Sequence, residues 1–224
     1  MSLPDPPSAP ARVSTGGAWL GVAIAARAAI GAVVHFTPLL VSAGIPLVVD
    51  VFDRNSRAQE VPRELARVTD LWLDFAQLLR PYAHAAGGTG VLLCLLLFVA
   101  AGFLVRGSNA GRQVSRGLLV VVAAHSIAAT VWFSSLATGP LAEWAARHAK
   151  AWSELEDMMP GIEERFPAAL REPWWLNVSV YWCACVLGLA FDAAFLWLAG
   201  KAFARDWCAA RADRSATAAG SEQR

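Results

Sequence analysis

Three residues of this chain carry ionisable side chains inside long apolar stretches: His35, His125 and Asp192. An aspartate at the middle of a bilayer costs about 2.5–3.5 kcal/mol or more, so a residue of this kind must pair, hydrate or work. Along ideal helices His35 lies roughly 12 Å beyond Arg27, His125 roughly 13 Å beyond Arg116, and Asp192 roughly 13 Å before Lys201. All three therefore fall at one depth. Histidine titrates near neutrality and a desolvated carboxylate can be raised toward it, which is the chemistry of a proton or ion site. Two histidines on facing helices can also ligate the iron of a b-type haem. Small neighbours (Gly31, Ala32, Ala124, Ala128 and Ala129) would leave room for the macrocycle. The plainest reading is an interhelical hydrogen-bond cluster that fixes packing, with no cofactor at all.

No other constellation competes with this trio. Cys94, Cys183, Cys185 and Cys208 have neither zinc-finger nor CxxC spacing. Cysteines of this kind serve as small hydrophobes. No P-loop, dinucleotide fingerprint or HExxH is present, so neither a catalytic residue nor a metal ligand set is indicated. Basic residues form no stripe, which argues against a nucleic-acid partner. Asn177-x-Ser179 matches a glycosylation sequon but sits where an apolar run begins, and reads as chance.

The elements that would position the trio follow from charge. Four stretches lack formal charge or nearly so: 28–49, 81–105, 117–142 and 173–200, the last broken only by Asp192. Each exceeds the roughly 20 residues that cross about 30 Å of hydrocarbon as a helix. The runs are unbroken rather than alternating, so helices are expected and not barrel strands. Composition agrees: 56% of residues are hydrophobic, 17% are charged, and ten are tryptophan, a residue favoured at membrane interfaces. Residues 1–17 read as a disordered tail and 201–224 as a second tail, flanking one transmembrane domain over 18–200. The expected fold is all-α, with four spanning helices arranged as two hairpins.

Orientation follows from where the basic residues gather. The N-terminal segment, the 106–116 link and the C-terminal segment together carry +6, and the two long connections −4. The positive-inside rule then places both termini in the cytoplasm of a multi-pass protein of the cell (inner) membrane. Each outer connection holds an amphipathic helix pattern: Val61, Leu65, Val68, Leu71, Trp72, Phe75, Leu78 and Leu79 in one, and Leu141, Trp144, His148, Trp152, Leu155 and Met159 in the other. Landmarks also recur at offsets of 89–92 residues. Arg27 matches Arg116, His35 matches His125, Phe75 and Arg80 match Phe166 and Arg171, Pro81-Tyr82 matches Pro173-Trp174, and Cys94 matches Cys185. These offsets suggest a parallel duplication of halves near 27–105 and 116–200.

Pro46, Phe52, Pro62 and Thr69, ahead of an amphipathic helix and a span, give residues 46–105 a further likeness. The segment resembles the region between the first two spans of the inner-membrane platform proteins of type II secretion and type IV pilus machines. The large cytoplasmic helical domain of that family has no counterpart, since only the 106–116 link is available for it. The resemblance implies a structural role within a membrane assembly. The expected function is thus a non-enzymatic subunit or scaffold, with the lipid bilayer and membrane proteins as partners. The alternative is a proton-translocating, ion-translocating or haem-carrying protein that uses His35, His125 and Asp192.

Overall fold

A computed structural model describes residues 15–56, 63–162 and 178–222. Val61, Pro62, Phe166, Arg171, Pro173, Trp174 and Asn177 lie outside these described residues, as does most of the N-terminal tail. The described chain is helical, and four helices are long and apolar enough to cross a membrane. Helix α1 is Gly16–Ser56, α2 is Arg63–Tyr82, α3 is Gly88–Val105 and α4 is Asn109–Thr138. Helix α5 is Pro140–Met158, α6 is Val178–Ala199 and α7 is Ala202–Glu222.

The first apolar run is longer than its charge-free length. Helix α1 starts eleven residues before Arg27 and continues through Pro38 and Pro46. Each proline withdraws one N–H from the helical ladder. In α4 the hydroxyls turn back on their own helix. Thr130 donates to Ser126 O (2.8 Å), Ser134 to Thr130 O (2.8 Å) and Thr138 to Ser134 O (2.9 Å), which satisfies them without water.

The first amphipathic pattern does not form a separate helix lying ahead of its span. Helix α2 runs through a π-turn, Ala83–Gly87, directly into α3, so one rod extends from Arg63 to Val105. Pro81 removes the N–H that would bond the Gln77 carbonyl. The chain absorbs this with a π-turn and stays helical. The second pattern does form its own helix. Gly139, at φ −118° and ψ −108°, ends α4, and Pro140 opens α5 at a position where its missing N–H costs nothing.

The link between α3 and α4 is a tight turn. Gly107 takes φ 84°, and the Ser108 side chain accepts from Gly111 N (3.1 Å) to cap α4. Residues beyond Lys201, expected as a tail, begin with a helix that docks: Trp207 is buried and its Nε1 donates to Leu104 O (3.2 Å).

Helix α1 packs along α3, α3 along α4, α4 along α6, and α6 touches α1. The near end of the bundle holds the α3–α4 turn and α7. At the far end α2 and α5 pack on each other. Two separate cores result. The near one is built around Ile24, Leu97, Leu104 and Leu119, and the far one around Phe75, Phe133, Trp144 and Leu155.

Candidate functional site

Asp192, on α6, is 1% exposed and therefore faces the bundle interior. Its partner is Arg27 of α1, whose Nη2 donates to Oδ2 at 3.2 Å. The sequence groups Asp192 with His35 and His125 at one depth, and the hydrogen-bond partner is instead an arginine. The physical reason is where α1 begins. The helix starts at Gly16, so Arg27 stands eleven residues inside it and not at the edge of a span, and its guanidinium meets the carboxylate there. Arginine also presents several donors and stays charged, which suits a carboxylate removed from water.

Two glycines make the space. A Cβ on Gly31 would lie 2.8 Å from Arg27 Nη1 and 2.9 Å from Cys94 Sγ, and one on Gly188 would lie 3.1 Å from Arg27 Nη2. Side chains there would push the guanidinium out. The pair is not saturated: Asp192 Oδ1 and Arg27 Nε, both shielded from solvent, have no hydrogen-bond partner among the described residues. Cys94 is buried at the same place, and the thiol packs there as a small apolar group.

The histidines meet each other. Their ring centroids are 5.3 Å apart with planes tilted by 57°. His125 Nε2 is 2.9 Å from the carbonyl of Ala86, inside the π-turn. A π-turn shifts its hydrogen bonds by one residue, and a carbonyl so displaced is open to a side-chain donor. Nε2 therefore carries the proton in this contact. His35 is seated against Gly90, where any Cβ would collide with the imidazole. Rings in direct contact, one with its outer nitrogen engaged, leave no slot between them for a planar macrocycle. The three sequence candidates thus divide into two contacts, Arg27–Asp192 joining α1 to α6 and His35–His125 joining α1 to α4.

Sequence reasoning had set His148 only in an amphipathic stripe, yet it is the hub of the far core. It is 1% exposed, stacked on Trp144 (4.8 Å between centroids, 22°) and edge-on to Trp72 (5.3 Å). Its Nε2 accepts from Trp152 Nε1 at 2.8 Å, which fixes the tautomer with the proton on Nδ1. Burial lowers its pKa to about 4. Trp144 Nε1 in turn donates to Leu71 O at 2.6 Å, tying α5 to α2. On the far surface Arg67 pairs with Glu154 (2.7 Å) and Arg147 with Asp74 (3.5 Å), again between α2 and α5. The i, i+4 spacing of Trp144, His148 and Trp152 was the available signal for one shared face.

Among the described residues no cluster of three or more His, Cys, Asp or Glu side chains could hold a metal ion. Comparison with protein-family models, with characterised proteins and with solved structures finds no match.

Proposed function

We propose that the protein is a non-enzymatic subunit or scaffold of a membrane complex. In this reading it crosses the cell (inner) membrane four times as two hairpins, with both termini in the cytoplasm and α2 and α5 on the outer side. The observation that carries it is the use made of the buried polar groups. Arg27 and Asp192 bind each other across α1 and α6, and His125 binds backbone of the α2–α3 rod. Arg112, buried at 6% exposure, donates to Ala199 O (3.1 Å) and caps α6. Each contact joins two helices, and together they hold a rigid platform of α2 and α5 with charged outer faces. That two matched histidines touch across the centre supports a duplicated pair of hairpins, and the likeness of residues 46–105 to platform proteins points to assembly partners of that kind.

The test is site-specific photocrosslinking in native membranes from Lys150 and Met158, exposed positions on α5. Discrete adducts of one partner protein are expected. A scaffold role fails if only lipid or self-adducts form from both positions. Reporter fusions after Asp70 and Glu156 should read the outer side, and fusions after Arg112 and Ala219 the cytoplasm.

The second reading, proton or ion translocation, draws on the unpartnered Asp192 Oδ1 and on the histidine contact. Proteoliposomes loaded with a pH-sensitive dye decide it. Dissipation of an imposed gradient that is lost in Asp192→Asn would establish translocation over the scaffold.

A further inference from the structure

A groove of about 580 Å³ runs between α1 and the α2–α3 rod. Its walls are apolar, with Phe36, Leu39, Leu40 and Ala43 on α1 and Ala76 on α2. Its rim is not. Gln77, Arg80 and His84 follow one another at i, i+3 and i+7 on one face of the rod, and all three are exposed. Arg80 makes no salt bridge among the described residues.

Depth gives this rim its meaning. The Tyr82 ring contacts Trp132 at 5.7 Å, and Trp132 and Trp182 are partly exposed at the far end, 38% and 40%. Trp19 and Trp197 are exposed near the other end. Tryptophans so placed mark the two interfaces of a bilayer. Arg106 closes α3 at the near side, and 26 residues of continuous helix place Arg80 about 39 Å away. The hydrocarbon is about 30 Å thick and headgroups extend the bilayer to about 40–45 Å. Arg80 therefore sits at the phosphate level of the far leaflet, while Phe36, Leu39 and Leu40 reach from the groove toward its acyl chains.

We propose that this groove binds one phospholipid of the far leaflet, with its phosphate held by Arg80 and His84 and one acyl chain lying along Phe36, Leu39 and Leu40. An open apolar trough alone would take any lipid. The guanidinium is what selects, because it offers a planar pair of donors to phosphate oxygens at a depth where no carboxylate competes for it among the described residues. Gln77 supplies a further polar contact toward the headgroup. Headgroups with net negative charge, such as phosphatidylglycerol, bind better than zwitterionic ones, since no ammonium then opposes the guanidinium. The site does not depend on the scaffold reading and lies apart from the Arg27–Asp192 and histidine contacts.

The test is native mass spectrometry of the full chain released from detergent after exposure to phosphatidylglycerol or phosphatidylcholine. Wild type should retain one phosphatidylglycerol per chain. Arg80→Gln with His84→Gln should retain it about tenfold less tightly, the size expected when a charge-assisted hydrogen bond is lost. Ala43→Trp fills the trough without touching the rim and should release the lipid as well. Arg147→Gln, on the outer face of α5, should change nothing. Equal retention of both lipids by wild type, or undiminished phosphatidylglycerol in either the Arg80 or the Ala43 variant, overturns the site.

Discussion

The near core and the far core are built from different side chains and fastened by different means. Around Ile24, Leu97 and Leu119 the side chains are aliphatic, and lipid tails are as apolar as they are. Burying them against one another gains little over leaving them in the bilayer, so close packing and polar contacts must hold the helices. The near core duly contains an ion pair seated on two glycines, and an arginine cap on Ala199 O. Around Phe75, Trp144 and Trp152 the arrangement is reversed. Helices α2 and α5 each carry charge on one face and aromatic rings on the other, which is what water on one side demands. There burial itself drives association, and the surface ion pairs add little. One chain thus shows which forces survive the loss of water.

Breaking the ion pair should give the largest effect. Asp192→Asn leaves Arg27 charged and uncompensated, and should lower stability in detergent by about 3–5 kcal/mol. Replacing both partners with apolar residues of similar size should restore most of that loss, which a double-mutant cycle measured by thermal unfolding will show.

The far core should instead respond to acid. Buried His148 titrates near 4 when folded and near 6.5 when unfolded, so the unfolded chain binds the extra proton between those values. Stability is therefore full above about 6.5 and falls as pH drops toward about 4, by roughly 3 kcal/mol in total. His148→Phe should flatten that slope while leaving the Arg27–Asp192 cycle unchanged, as read by melting curves across the acid range.

Trp144→Phe keeps the stack but deletes the donor to Leu71 O, and should cost about 0.5–1.5 kcal/mol, the net value of one such hydrogen bond. The smallest change should come from Arg67→Gln. Its pair with Glu154 is short but exposed on both sides, and pairs of that kind contribute about 0.2–1 kcal/mol. An effect of Arg67→Gln larger than that of Trp144→Phe would erase the distinction between the two cores.

How far the sequence foretold this depended on which physical signal was local. Four apolar runs without charge were readable because a charge in lipid is penalised wherever it stands. The stripes of Leu71, Phe75, Trp144 and Trp152 were readable because helical period is a local property. Asp192 was placed correctly inside the bundle by energy alone. Its partner was not, because a rule that ends each span at the nearest arginine cannot see that α1 begins at Gly16 and carries Arg27 within the bundle, against a residue 165 positions away. The union of α2 with α3 was hidden for a similar reason. Pro81 reads as a boundary, and only the whole chain shows that a π-turn absorbs it. The docking of Trp207 rests on the Leu104 carbonyl at the end of α3, which no residue type announces.

That π-turn can also be treated as an insertion. A π-turn holds about one residue more than the α-turn it replaces, and each residue of an α-helix advances the chain by about 100°. Removing one residue from Ala83–Gly87 would make α2 and α3 a plain α-helix and leave the two in nearly the same phase, with Phe75 and Leu71 still turned to α5. Winding the turn as α with all its residues kept would instead rotate everything before Ala83 by about 100° relative to the span, and Phe75 and Leu71 would turn off α5. In genetic terms the π-turn is a place where one codon can be lost while the aromatic face of one half of the molecule stays in register with the other half.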